Sequence, residues 1–184
     1  MKSVAIVAAV RCWVEEVVVG LNLCPFARAE LIEDRVRFFV SEATDEQQLL
    51  TDLQTELERL ESDDSVETTL LIHPQVLTDF DDYNQFLDLA DRLLEELDFE
   101  GVCQIASFHP DYQFAGTQPG DAQNYTNRAP YPVLHLLREA SLERAIASFT
   151  DVELIPERNI ELLEGLGQEK MQALLRACFT DSEK

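Results

Sequence analysis

The chain has 184 residues, 46% of them hydrophobic, enough for one domain around one substantial core. Lys and Arg number 14 against 36 Asp and Glu, a formal charge of −22 that repels nucleic-acid phosphates and anionic lipid headgroups. Nucleic acid and membranes are therefore not expected partners, and in so acidic a chain the few arginines become the natural anchors for a small anionic ligand.

The opening ten residues, Met1 to Val10, imitate a signal peptide, but Arg11, Glu15 and Glu16 interrupt it and no small-residue cleavage site follows. Val4, Val7, Val10, Val14, Val17 and Leu21 recur at helical spacing, which predicts an amphipathic helix packed on the domain. Cys24-Pro25-Phe26 reads as a second helix start, with Pro25 in the first helical position, Cys24 at the cap and a short helix to about Ile32. Val36 to Val40 is a β-branched and aromatic run that predicts a strand, after which Thr44 or Asp45 caps a helix through about Leu60.

Thr68 to Ile72 is the second expected strand, ended by His73-Pro74. Phe80, Tyr83, Phe86, Leu87, Ala90, Leu93, Leu94 and Leu97 then mark a long amphipathic helix, and Val102 to Phe108 a third strand. Alternation of strands and helices at these lengths predicts successive βαβ units. The expected fold is therefore α/β: a single domain with a small, mostly parallel sheet, packed helices, and additional N- and C-terminal helices.

From His109 to Arg128 neither periodicity holds; a loop of this length in a compact domain is usually functional or disordered, and its aromatic residues and prolines favour an ordered functional loop. Tyr131-Pro132 is expected to open a helix carrying Leu134, Leu137 and Leu142 to about Phe149. Asp151 to Ile155 reads as a short strand or an extended connection. Two closing helices, Ile160 to Leu163 and Met171 to Phe179, are broken near Gly165 and Gly167, and a frayed tail starts at Thr180.

Both His-Pro pairs directly follow an expected strand, so parallel strands would bring His73 and His109 to one carboxyl edge, where open α/β sheets bind ligands. There His109 is a candidate general acid or base, oriented by Asp111 and Tyr112, with His73 assisting. Arg128, after Asn124-Tyr125-Thr126-Asn127, suits bidentate capture of a carboxylate or phosphate, with Asn124, Tyr125, Asn127 and Tyr112 around it. Arg28 and Arg138 rank second. Cys24 at a helix start would have its thiolate favoured by the helix dipole and is a candidate nucleophile.

The remaining candidates read as structure. His135 falls in an apolar stretch expected to be helical, and Cys12, Cys103 and Cys178 are taken as core. Scattered cysteines without paired spacing predict reduced thiols in a cytoplasmic protein. Acids such as Glu56, Glu58, Glu61, Glu95 and Glu96 read as a solvated helix face. No glycine-rich phosphate loop, Gly-x-Ser-x-Gly elbow or His-Glu-x-x-His helix is present in the sequence.

Three segments together, Gly20 to Ala27 (GLNLCPFA), Ser107 to Tyr112 (SFHPDY) and Asn124 to Pro132 (NYTNRAPYP), resemble the bacterial family called domain of unknown function 1415. The resemblance implies a bacterial, cytoplasmic protein of one such domain. It carries no catalytic role onto any residue. The residues themselves leave three expectations open. The first is an enzyme acting on a small anionic metabolite by hydrolysis or group transfer, with His109 as acid or base and Arg128 as anion anchor. The second is a site for a divalent transition metal, such as zinc or iron, on His73, His109 and Asp111, with Cys24 a further donor. The third is a non-enzymatic module using its acidic surface or the aromatic residues Tyr112, Phe114, Tyr125 and Tyr131 to hold a protein partner.

Overall fold

The computed structural model describes residues 2–180. Among them the chain forms seven α-helices and one four-stranded sheet. α1 (Lys2–Trp13) runs directly into a π-helical stretch, Val14–Val19, and α2 (Ala27–Ile32) is short. β1 (Val36–Val40), α3 (Glu46–Ser62), β2 (Thr68–Ile72), α4 (Phe80–Glu96) and β3 (Cys103–Phe108) follow as the hydrophobic pattern predicts. Asp45 caps α3 by accepting from the Gln48 amide at 2.9 Å, and Asp79 caps α4 by accepting from the Asp81 and Asp82 amides.

β4 (Val133–Arg138) corrects the sequence reading, which placed a helix there. Val133, Leu134, Leu136 and Leu137 suit both a buried helix face and a strand covered on both sides, and tertiary position decides between them. β4 lies between β2 and β3 and runs antiparallel to both, so the strand order is β1-β2-β4-β3. Only β1 and β2 pair in parallel. The sheet is therefore mixed rather than mostly parallel. α5 (Glu139–Ala147) begins directly after β4, a 3₁₀ turn occupies Val152–Leu154 where a strand or extended link was expected, and α6 (Ile155–Leu166) and α7 (Gln168–Thr180) close the chain. Beyond Thr180 the expected tail lies outside the described residues.

Side-chain alternation divides the interior into two layers. On one sheet face Leu71, Leu134, Leu136 and Cys103 meet Leu49, Leu53, Leu57 and Leu60 of α3 and Tyr83, Phe86 and Ala90 of α4. On the other, Leu70, Ile72 and Val133 meet Ile6, Val10 and Trp13 of α1, Leu163 of α6, and Met171 and Cys178 of α7. Glu56, expected on a solvated face, is instead 2% exposed in the first layer. Its carboxylate takes a two-pronged bond from Arg37 of β1, Nε to Oε2 at 2.6 Å and Nη2 to Oε1 at 3.0 Å, which compensates its loss of water.

Candidate functional site

The two strand-end histidines do share one sheet edge, by a different route from the one expected. β2 and β3 both run antiparallel to the strand between them, and Ile72 and Phe108 both face Val133 across it. The His73 amide donates to the Pro132 carbonyl and the His109 amide to the Asn127 carbonyl. Tyr83 of α4 stands between the two rings, stacked on His73 at 5.7 Å and tilted against His109 at 5.1 Å. Its hydroxyl donates to the Val133 carbonyl at 2.8 Å and accepts from the Phe108 amide at 3.1 Å, joining β3 to β4.

Both histidines are fully buried; both ring nitrogens of His109 and Nδ1 of His73 bond to backbone, while His73 Nε2 is buried without a hydrogen-bond partner. His109 Nδ1 accepts from the Asp111 amide at 3.1 Å, so Nε2 carries the proton and donates to the Leu77 carbonyl at 3.3 Å. His73 Nδ1 donates to the Val76 carbonyl at 2.9 Å. Desolvation pushes the His73 pKa down to about 4 and lowers that of His109, so both rings are neutral near pH 7. Together they hold the turn after β2, in which Leu77 takes a left-handed φ of 54° that a leucine adopts only when its surroundings impose it. The Asp111 side chain points to solvent.

The loop is built in the same way. Arg128 is 8% exposed; Nε donates to the Tyr112 carbonyl at 3.0 Å, Nη2 to the Pro119 carbonyl at 2.9 Å, and its guanidinium lies 4.7 Å over the Tyr125 ring. Asn124 is fully buried, accepting from the Phe114 amide and the Thr117 hydroxyl and donating to the Gln118 carbonyl. Asn127 donates to the Ser107 carbonyl at 2.9 Å. Tyr112 packs between Phe80 and Phe114, and Arg28 is exposed on α2, away from this cluster's bonding. Arg128, Asn124 and Asn127, whose polarity suggested ligand recognition, satisfy backbone atoms of a loop that lacks sheet or long-helix bonding of its own. Among the described residues, no three His, Cys, Asp or Glu side chains converge as metal donors.

An open, half-polar depression lies beside the turn at Val76 to Asp79, but the more enclosed and apolar cavity lies elsewhere. A partly enclosed space of about 270 Å³, walled almost wholly by apolar atoms, opens on the α1 side of the sheet. Its floor is Leu70 of β2, Ala106 and Phe108 of β3, and His135 and Leu137 of β4; its walls come from Trp13 and the π-helical Val14 and Val18, from Phe26 and Ala27 beside α2, and from Leu142 and Ala145 of α5. Phe26 meets Phe149, just past α5, edge to face at 5.7 Å, which ties the two walls together. Cys24 lines this cavity, but not from a helix cap. α2 begins only at Ala27, capped by Phe26, because Asn22 takes a left-handed turn after the π-helix and residues 23–26 are spent redirecting the chain.

The charged groups at the cavity rim are already paired. Glu30 lies 2.8 Å from Arg35; Glu67 is 3.1 Å from Arg35 and 3.6 Å from Arg144. Burial outweighs Arg35 at Glu30 and raises its pKa. Arg138 is turned away to the Val66 and Asp63 carbonyls at 3.2 and 2.9 Å. His135, read from sequence as structural, is the polar group on the floor. Thr68 gives its hydroxyl proton to the Leu136 carbonyl at 2.7 Å, so His135 Nε2 must donate to Thr68 Oγ1 at 2.6 Å and Nδ1 remains the ring's acceptor. Burial pushes its pKa down to about 4, leaving a neutral imidazole. The sequence signal for this residue was available only with the correct element: on a strand, 133, 135 and 137 share a face with the cavity.

Among the described residues no helix is long and apolar enough to cross a membrane. No curated protein and no solved structure matches the chain. The family model described as protein of unknown function (DUF1415) matches residues 5–173, and the chain belongs to that family.

Proposed function

We propose that this DUF1415 member is a binding domain for a small, uncharged, mainly apolar molecule, held on the sheet face between α2, α5 and the π-helical turn. The observation that carries the reading is the cavity of about 270 Å³ with apolar walls and paired rim charges. An apolar space of roughly 150 Å³ stays dry and admits benzene, and drug-sized pockets begin at roughly 300 Å³, so the fitting ligand has one or two rings or a short branched chain. An ionised ligand would enter a low-dielectric space whose rim charges are already matched, at a desolvation cost that nothing there offsets. His135 Nδ1 suits a single hydroxyl or amide proton on such a molecule.

Hydrolysis or group transfer on a small anionic metabolite, with His109 as acid or base and Arg128 as anchor, is favoured less. It would require both side chains to leave the backbone carbonyls they hold, exposing the left-handed turn at Leu77 and the loop around Asn124. The cavity needs no such rearrangement. A metal held by His73, His109 and Asp111 would likewise require the buried His109 ring to give up its bonds to the Leu77 carbonyl and the Asp111 amide, whereas His73 Nε2 has no such bond to lose.

The chain has one tryptophan, Trp13, and it lines the cavity, so its fluorescence reports occupancy directly. Toluene, cyclohexanol and p-cresol should each give a saturable change, which benzoate should not, and Ala106→Leu should remove the response. No saturable change with any of the neutral probes, or a change that survives Ala106→Leu, would overturn the proposal.

A further inference from the structure

The geometry points to a reactive element independent of the cavity's ligand: Cys12 and Cys178 are a dithiol that oxidation converts to a disulfide joining the first and last helices. Their sulfurs are 3.0 Å apart although 166 positions separate them in the chain. A disulfide requires about 2.0 Å between sulfurs, so closing the bond asks for a shift of roughly 1 Å along an existing contact. Cys12 lies one residue before the end of α1 and Cys178 near the end of α7, and the two helices pack on each other in the second core layer.

Burial differs between the two residues in a way that orders the chemistry. Cys12 is half-buried, whereas Cys178 is 1% exposed. A small peroxide therefore meets Cys12 first. The Cys12 sulfur attacks one peroxide oxygen; an S–O bond forms, the O–O bond breaks, and hydroxide leaves as water after taking the thiol proton. The Cys178 sulfur then attacks the Cys12 sulfur of the resulting sulfenic acid; the S–S bond forms, the S–O bond breaks, and the hydroxyl departs with the Cys178 proton as a second water. The two thiols lose two electrons in total, which hydrogen peroxide accepts. Cys24 lines the cavity, and Cys103 lies in the opposite core layer, so neither competes for this contact.

The bond would tether the helix that continues into Trp13, Val14 and Val18, the cavity's N-terminal wall, to the C-terminal helix. Because it closes nearly the whole chain into one loop, oxidation should raise the melting temperature by roughly 4–16 °C, reversed by dithiothreitol.

The test is exposure of the full chain to a few equivalents of hydrogen peroxide, blocking with N-ethylmaleimide in urea, and non-reducing peptide mass analysis. The expected product has Cys24 and Cys103 alkylated and the peptides of Cys12 and Cys178 joined, two hydrogens lighter than the reduced pair. Cys24→Ser should form the same bond, and Cys12→Ser and Cys178→Ser should not. If Cys178→Ser fails to fold, the half-buried Cys12→Ser still carries the comparison. Four alkylated thiols, a sulfinic acid at Cys12 beside an alkylated Cys178, or a bond involving Cys24, Cys103 or a second chain would each overturn the proposal.

Discussion

Replacing Ala106 by leucine should stabilise the protein, which is the reverse of what a small-to-large change does in a packed core. Ala106 sits on β3 opposite His135 and faces the cavity, whereas its neighbour Ile105 faces the α3 and α4 layer. The substitution adds three carbons to a space of about 270 Å³, well above the roughly 150 Å³ that one deleted aliphatic side chain leaves. At about 0.8 kcal/mol for each buried CH₂, less about 0.5–1 kcal/mol of leucine rotamer entropy, the net gain is about 1.5–2 kcal/mol. For a chain of this size that corresponds to a rise of roughly 3–8 °C in melting temperature. Calorimetry of the two proteins at one pH measures it. A loss of about 1–3 kcal/mol, the usual cost of overpacking, would show that the space is not available and would refute both the cavity and the function built on it.

His73 gives a pH signature. Its folded-state pKa of about 4 lies below the ordinary 6.5, so the unfolded state takes up the proton first as pH falls. Its contribution is fully present above pH 6.5 and is lost toward pH 4, about 3 kcal/mol over that window for one buried ring. Urea unfolding at pH 7 and 4.5 should show a smaller acid loss in His73→Asn than in the parent, and equal losses would contradict the assignment. Arg128→Lys removes two directed bonds to the Tyr112 and Pro119 carbonyls and should cost about 2 kcal/mol, with faster protease cleavage between residues 110 and 123 as the readout. Glu56→Leu leaves Arg37 without its partner and should cost about 2–3 kcal/mol in urea, reduced from the fully buried case because Arg37 keeps 27% of its side chain exposed.

The elements from β1 to β3 were legible because each has one clear period: the leucines of α3 and the aromatic stripe of α4 repeat at helical spacing, and Asp45 and Asp79 occupy cap positions. β4 was not, because a strand covered on both faces shows no alternation, and its neighbour α5 let the two be read as one helix. That single misreading hid the mixed sheet and removed His135 from the candidates. It left the shared edge of His73 and His109 intact, since two strands antiparallel to a third run the same way.

The loop from Ser107 to Pro132 shows a different limit. Histidine, arginine and asparagine in an aperiodic segment read equally well as ligand-binding groups and as internal staples, because both uses need directed polar atoms. The distinction lies in whether backbone carbonyls stand within reach, and that is set by the tertiary path. Arg128 and Asn124 are spent on such carbonyls and amides. Glu56 makes the same point within a helix: its position among acids suggested solvent, but it lies on the leucine face of α3 opposite Arg37.

Crystals soaked with bromobenzene test the central claim most directly, since the halogen's anomalous signal locates the molecule without reference to its contacts. One strong peak is expected between Ala106, Leu142 and Trp13, absent in Ala106→Leu crystals. A peak confined to the edge near His109 and Arg128, or none in the cavity at a concentration that saturates the Trp13 fluorescence response, would contradict it.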